Sequence, residues 1–148
     1  MDLQEISDRL EVADVVTRYT RAVDTRSYGD LHRDVFTPDA VLDYSAVGGP
    51  VGPPAEVVPW VEAGLRGFAR HQHLLGQLAV EFADPGPSGG PDEARVTAYF
   101  TNPMVAVAAD GRETLLEVGG YYHHTMVRTP RGWRSRRLVD ETVWSRGF

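Results

Sequence analysis

The chain contains no cysteine, which excludes disulfides, thiolate nucleophiles and sulfur-ligated zinc. It also lacks a basic excess: 15 Lys plus Arg face 21 Asp plus Glu, for a net charge of −6. A surface that grips phosphate backbones needs the opposite sign. The cluster Arg131, Arg134, Arg136 and Arg137 is local and does not reverse that balance. No apolar run approaches the roughly 18 residues of a membrane span. The opening MDLQEISDRL is acidic and amphipathic, without a signal peptide's apolar core. Together these absences lead us to expect a soluble, cytoplasmic protein with neither nucleic acid nor membrane as a partner.

What is present suffices for one domain. The 148 residues, 42% of them hydrophobic, can bury a core without staples. No internal repeat and no domain boundary interrupts residues 1–148, and the Pro/Gly-rich stretches read as loops.

Asp2-Leu3-Gln4-Glu5 has capping-box spacing. Leu3, Ile6, Leu10, Ala13 and Val16 recur at helical intervals, which predicts one amphipathic helix to about Asp24. Ser27 is placed to cap a second, short helix carrying Leu31, Val35 and Phe36 and ended by Pro38. Residues 40–44 read as a strand. Val57, Trp60, Val61, Leu65 and Phe68 mark a third helix. The period then changes to two. Strands are expected over 72–83, 93–108, 114–128 and 133–144, punctuated by DPGPSGGPD, Asp110-Gly111 and Pro130-Arg131-Gly132. Helices followed by strands argue for an α+β fold, with helices on one face of a strongly curved, mostly antiparallel sheet. Such a cone has an interior.

Alternation then selects the inward residues. The face Leu116, Val118, Gly120, Tyr122, His124 and Met126 is the more apolar one, so Tyr122, His124 and Met126 are expected to line a cavity, with His123 outside. Val96, Ala98, Phe100, Asn102 and Met104 form a second inward face with Asn102 as its polar member. Tyr44 shares a face with Ala40 and Leu42. Trp60 and Phe68 on the third helix offer apolar wall. On the first helix Tyr19 and Val23 lie one turn apart. Asp24 stands at the negative end of the helix dipole, where an anion is disfavoured. In RHQHLLGQ, residues 70–77, two imidazoles stand where a strand is about to turn inward.

Four segments in this order, RYTRAVDTRSYGDL, VFTPDAVLDY, RHQHLLGQ and EVGGYYHHTMVRTPRGWR, resemble the SnoaL-like and scytalone-dehydratase-like branch of the NTF2-like superfamily. The resemblance implies a cone-shaped α+β barrel with a deep pocket, frequently a homodimer or higher homo-oligomer formed through the sheets, and no cofactor. In scytalone dehydratase an Asp closes the first helix and a His lies in a T-Q-H-type segment; Asp24 and His73 match them. The D-Y pair of that enzyme matches Asp43-Tyr44. Bile-acid 7α-dehydratases carry a tyrosine five residues before the Asp, as Tyr19 precedes Asp24. Two departures are clear. NPMVAV lacks the second catalytic histidine of scytalone dehydratase, and His124 and Met126 stand where that enzyme has serine and asparagine.

The implied chemistry is acid–base. Asp24 would orient His73, His73 would move the proton, and Tyr19 and Tyr44 would donate hydrogen bonds to a carbonyl or enolate oxygen. Dehydration of a small cyclic or polyketide-derived molecule is the first expectation, then cyclisation or isomerisation. Two other readings are kept. One is a non-catalytic binding module or oxygenase small subunit, which requires Asp24 and His73 apart or the pocket filled. The other is an epoxide hydrolase, which needs paired carboxylates and an arginine. His71 is expected outside the site. A metal on His71, His73, His123 and His124 is not expected, because Glu81 falls too far after His73 for a cupin pattern.

Overall fold

A computed structural model describes residues 1–148. Helix α1 spans Leu3–Asp24, and the Asp2 carboxylate accepts the Glu5 N–H at 2.8 Å, as the capping spacing anticipates. Its buried stripe is Val12, Val15, Val16, Tyr19 and Val23. Leu3 and Leu10, expected on that stripe, are 84% and 68% exposed, because the face of α1 that meets the sheet continues from Val12 through Asp8 and leaves them on the other side. The buried residue there is Asp8.

The end of α1 is tightly defined. The Ser27 N–H reaches the Ala22 carbonyl and the Arg26 N–H the Val23 carbonyl, at 2.8 and 3.1 Å. Arg26 takes the left-handed conformation (φ 57°) that such a closure usually gives to glycine. Its guanidinium donates to the Phe68 carbonyl at 2.8 Å, tying α1 to the segment after the next helix. Asp24 is thereby held at a fixed place.

One wide helical turn, Leu31–Val35, leads into β1, Phe36–Asp43. The expected short helix is present over Leu31–Val35, but its cap and its end differ. The Ser27 hydroxyl accepts from Thr25 and does not cap it. Pro38 lies inside β1, in the register shift between Phe36 and Val41 opposite the last strand. A bulge demands no ladder N–H from proline. β2 (Val51–Gly52) precedes α2, Pro54–Arg66, which starts on its proline and stops short of Phe68. The remaining strands are β3 (Arg70–His71), β4 (Leu74–Phe82), β5 (Glu93–Val107), β6 (Glu113–Thr129) and β7 (Gly132–Arg146).

The sheet order is β2-β1-β7-β6-β5-β3, with β4 also on β5; only β1 and β7 pair in parallel. The helices cover one face of this curved sheet, giving the α+β cone. One end is closed by Trp133, which is fully buried. Its indole N–H donates to Asp8 at 3.0 Å, and Arg128 grips both Asp8 oxygens at 3.0 and 2.9 Å. Burial acts against the Asp8 anion, but these donors outweigh it and hold the carboxyl below its usual range. Burying each large apolar side chain of this core contributes about 1.5–3 kcal/mol.

Candidate active site

The site is positioned by an interruption in the sheet edge. β3 and β4 both lie along β5, but the ladder breaks between them. The Gln72 N–H still donates to the Pro103 carbonyl at 3.1 Å, and pairing resumes with Leu74 opposite Thr101. In the gap the His73 N–H turns away from the sheet and donates to Asp24 Oδ2 at 2.8 Å. The ring of the same residue places Nδ1 2.7 Å from Asp24 Oδ1. Burial opposes the Asp24 anion, yet the ring and backbone donations of His73 outweigh it and hold the carboxyl below its ordinary value. The adverse helix dipole at Asp24 is offset in the same way. An ionised Asp24 can only accept, so in the neutral ring Nδ1 carries the proton and Nε2 keeps its lone pair.

His73 belongs to the wall of a cavity of about 410 Å³. Phe100 and Tyr122 stack 4.0 Å apart beside it, their rings 6.2 and 6.1 Å from the imidazole. Tyr19, Tyr44, Tyr122, Asn102, Trp60 and Phe68 all line this space. The Tyr19 and Tyr44 hydroxyls are hydrogen-bonded to each other. Burial first, then the charge of Asp140, pushes the Tyr19 phenol far up, so it serves as a donor and not as a base.

Two expected residues are elsewhere. His124 and Met126 do not line the cavity, although both are buried on the inward face. They lie beyond Tyr122 toward the closed end, where α1 fills the cone. The His124 ring packs edge-on against Tyr19 at 5.8 Å, and its Nδ1 is 2.8 Å from Ser135 Oγ. Burial drops its pKa to about 3, so it is a neutral core imidazole.

His71, expected outside, has a side chain only 1% exposed, with Nδ1 3.4 Å from Asp24 Oδ1. Positions i and i+2 of an extended chain share a face, so His71 follows His73 inward. Neither of its ring nitrogens has a hydrogen-bond partner. The ligand atoms of Asp24, His71 and His73 lie within 4.8 Å of one another, the one grouping that could hold a metal ion. A cation there would have to displace the Nδ1 proton of His73. The four-histidine set does not assemble: His123 faces outward, between Thr97 and Glu141.

Asp140, Thr142, Ser145 and Phe148 also line the cavity and were not anticipated. The signal for the first two was available: alternation from the apolar Leu138 turns Asp140 and Thr142 inward. No lysine or arginine lines the cavity, and the chain has no lysine at all.

The profile of the SnoaL-like domain matches residues 4–139. The chain belongs to the SnoaL-like family. An uncharacterized protein of Mycobacterium tuberculosis is 39% identical to this SnoaL-like chain over 140 residues, spanning 95% of it and 88% of the relative. Among solved structures, a candidate aromatic ring hydroxylase of Novosphingobium aromaticivorans is similar at 31% identity, with a TM-score of 0.78 over 97% of this chain and 94% of that one. A candidate scytalone dehydratase of the same species gives 14% identity and a TM-score of 0.81, covering 97% and 89%. The hexachlorocyclohexane dehydrochlorinase LinA-type3 of Novosphingobium barchaimii gives 17% and 0.77, covering 98% and 92%. The last two likenesses establish the NTF2-like fold alone.

Proposed function

We propose that this protein is a cofactor-independent lyase that removes water from a small cyclic or polyketide-derived molecule, with ring closure or double-bond isomerisation as the neighbouring reactions. The observation that carries the reading is the Asp24–His73 pair, with His73 in the wall of a mostly apolar, aromatic cavity. Asp24 fixes the tautomer and stabilises the imidazolium that forms. His73 takes the proton next to a carbonyl. The Tyr19 and Tyr44 hydroxyls donate to the oxygen on which charge accumulates. The apolar walls strengthen each contact by excluding water. Two structural neighbours are named for eliminations, scytalone dehydration and dehydrochlorination, and elimination is what this arrangement supports.

The non-catalytic reading required a separated pair or a filled interior, and neither is found. The epoxide-hydrolase reading gains a second cavity carboxylate in Asp140 but lacks the arginine. Turnover of a panel of bicyclic β-hydroxy ketones tests the proposal. Asp24→Asn and His73→Ala should each cost roughly 10²–10⁴-fold in kcat/KM. Turnover unaffected by both substitutions would end it.

A further inference from the structure

A second acid sits in the same cavity, on the far side of Tyr122 from His73. Asp140 of β7 pairs in register with Tyr122 of β6, and Phe100 of β5 stacks on Tyr122 from the other direction. Asp140 is 6% exposed, lines the cavity, and its Oδ1 is buried without a hydrogen-bond partner. Two further cavity atoms share that condition, Asn102 Oδ1 and Thr142 Oγ1. A buried polar atom without a partner is costly. All three atoms are themselves out of reach of solvent, so they mark this wall as one short of hydrogen-bond donors. An amide oxygen and a carboxylate oxygen call for hydrogen-bond donors, and no cation in the wall would balance an anionic guest.

We propose that Asp140 is a second acid–base group of this cavity: it receives the hydroxyl of an uncharged ring substrate and returns a proton to that oxygen as it departs. The assignment rests on the elimination reading and adds the missing acid to it. His73 Nε2 takes a proton from the carbon next to the carbonyl, and the C–H electron pair becomes the new C=C bond. The C–O bond breaks toward oxygen, which takes the proton of Asp140 and leaves as water. His73 ends protonated and Asp140 ionised; proton return through water restores both. Burial, and then the charge of Asp43 on β1, raises Asp140 to about 6, so its acid form is accessible near neutrality. Tyr19 of α1 and Tyr122 of β6 are the other titratable groups facing it.

Binding is measured first, by calorimetry with 1-naphthol and 1-naphthoate at about pH 8, where Asp140 is ionised. Wild type should bind naphthol about tenfold or more tighter than naphthoate, since an unbalanced like charge is expensive. Asp140→Asn should admit naphthoate and reduce the difference below about threefold. In the wild type, naphthoate affinity should rise several-fold as the pH falls toward 5; the rise should persist in His73→Ala and vanish in Asp140→Asn, which assigns it to Asp140. Naphthoate binding equal to naphthol, a flat pH profile, or no saturable naphthol binding would each overturn the receptor role.

Proton return is then read with 3-hydroxy-1-tetralone, whose dehydration product is 1-naphthol, and with its acetate ester, whose leaving group needs no proton. Asp140→Asn should lower kcat on the alcohol by about 10²-fold or more and leave the acetate within about threefold. Equal losses on both substrates would reduce Asp140 to a structural residue. If charge discrimination holds while wild type turns over no hydroxy ketone, the elimination reading and the proton step fall together, and the hydroxyl-receptor role stands.

Discussion

His73 engages both oxygens of Asp24, its ring nitrogen at 2.7 Å from one and its backbone N–H at 2.8 Å from the other. The second contact uses an N–H that the sheet edge would otherwise claim. The carboxylate therefore fixes the chain break and the ring orientation together, which makes the imidazole a preorganised group.

One consequence concerns the tautomer. Nitrogen NMR on labelled wild type should find the His73 proton on Nδ1. Asp24→Asn offers an amide N–H in place of an acceptor, so the proton should move to Nε2 and kcat/KM should fall by roughly 10²–10⁴-fold. A proton already on Nε2 in the wild type would contradict the arrangement.

A second prediction concerns pH and stability. His124 is lowered to about 3 in the fold against an ordinary 6.5, so between these values the unfolded chain binds more protons. Stability then falls as pH drops, by at most about 1.4 kcal/mol per unit. His71, lowered chiefly by burial, acts in the same sense. Asp140 does the reverse. Raised to about 6 from 3.8, it binds more protons in the native state over that window, and stability falls as pH rises. The slopes oppose each other between about pH 4 and 6. Denaturant titrations should show a wild type rising only gently with pH there, since His71 adds to His124 against Asp140. His124→Gln should reveal a decline toward higher pH, and Asp140→Asn a steeper rise. Parallel profiles for all three proteins would refute the assignment.

The Asp140 substitution also carries a sign at fixed pH. A raised carboxyl is a destabilising group once ionised, so Asp140→Asn should stabilise the protein at pH 7.5 by about 1–3 kcal/mol while impairing function. Thermal melting at that pH measures it. A loss of stability would mean that the second oxygen of Asp140 is better satisfied than its environment indicates.

We propose that the outer sheet face pairs two copies of the chain, as the family resemblance implies. Leu74, Val143, Trp144 and Tyr99 are 66%, 55%, 40% and 38% exposed on neighbouring strands, and Tyr121 packs edge-on against Tyr99 at 4.7 Å. An apolar patch of this kind is a candidate interface. Light scattering should give a dimer for the wild type, and a monomer with unchanged circular dichroism for Val143→Arg. A wild-type monomer at micromolar concentration would remove the idea.

Much of this protein was legible in the chain because the deciding physics is local and periodic. Alternation alone turned Tyr122, Asn102 and Tyr44 inward, and spacing of three and four placed Tyr19 on the buried stripe of α1. The pairing of Asp24 with His73 came from the family resemblance. Contact was decided elsewhere. The pair meets because Arg26 closes α1 in a left-handed turn and the sheet edge breaks at His73, two events far apart in sequence. The same alternation turns His71 and Asp140 inward, and Asp140 is an acid with no partner in its own segment. Where the cone closes depended on the packing of α1 over β6. That packing filled the space around His124 and Met126 and left the space around Asp140 open. Side-chain direction follows from a strand's own geometry, whereas the presence of a void follows from what every other element fails to fill.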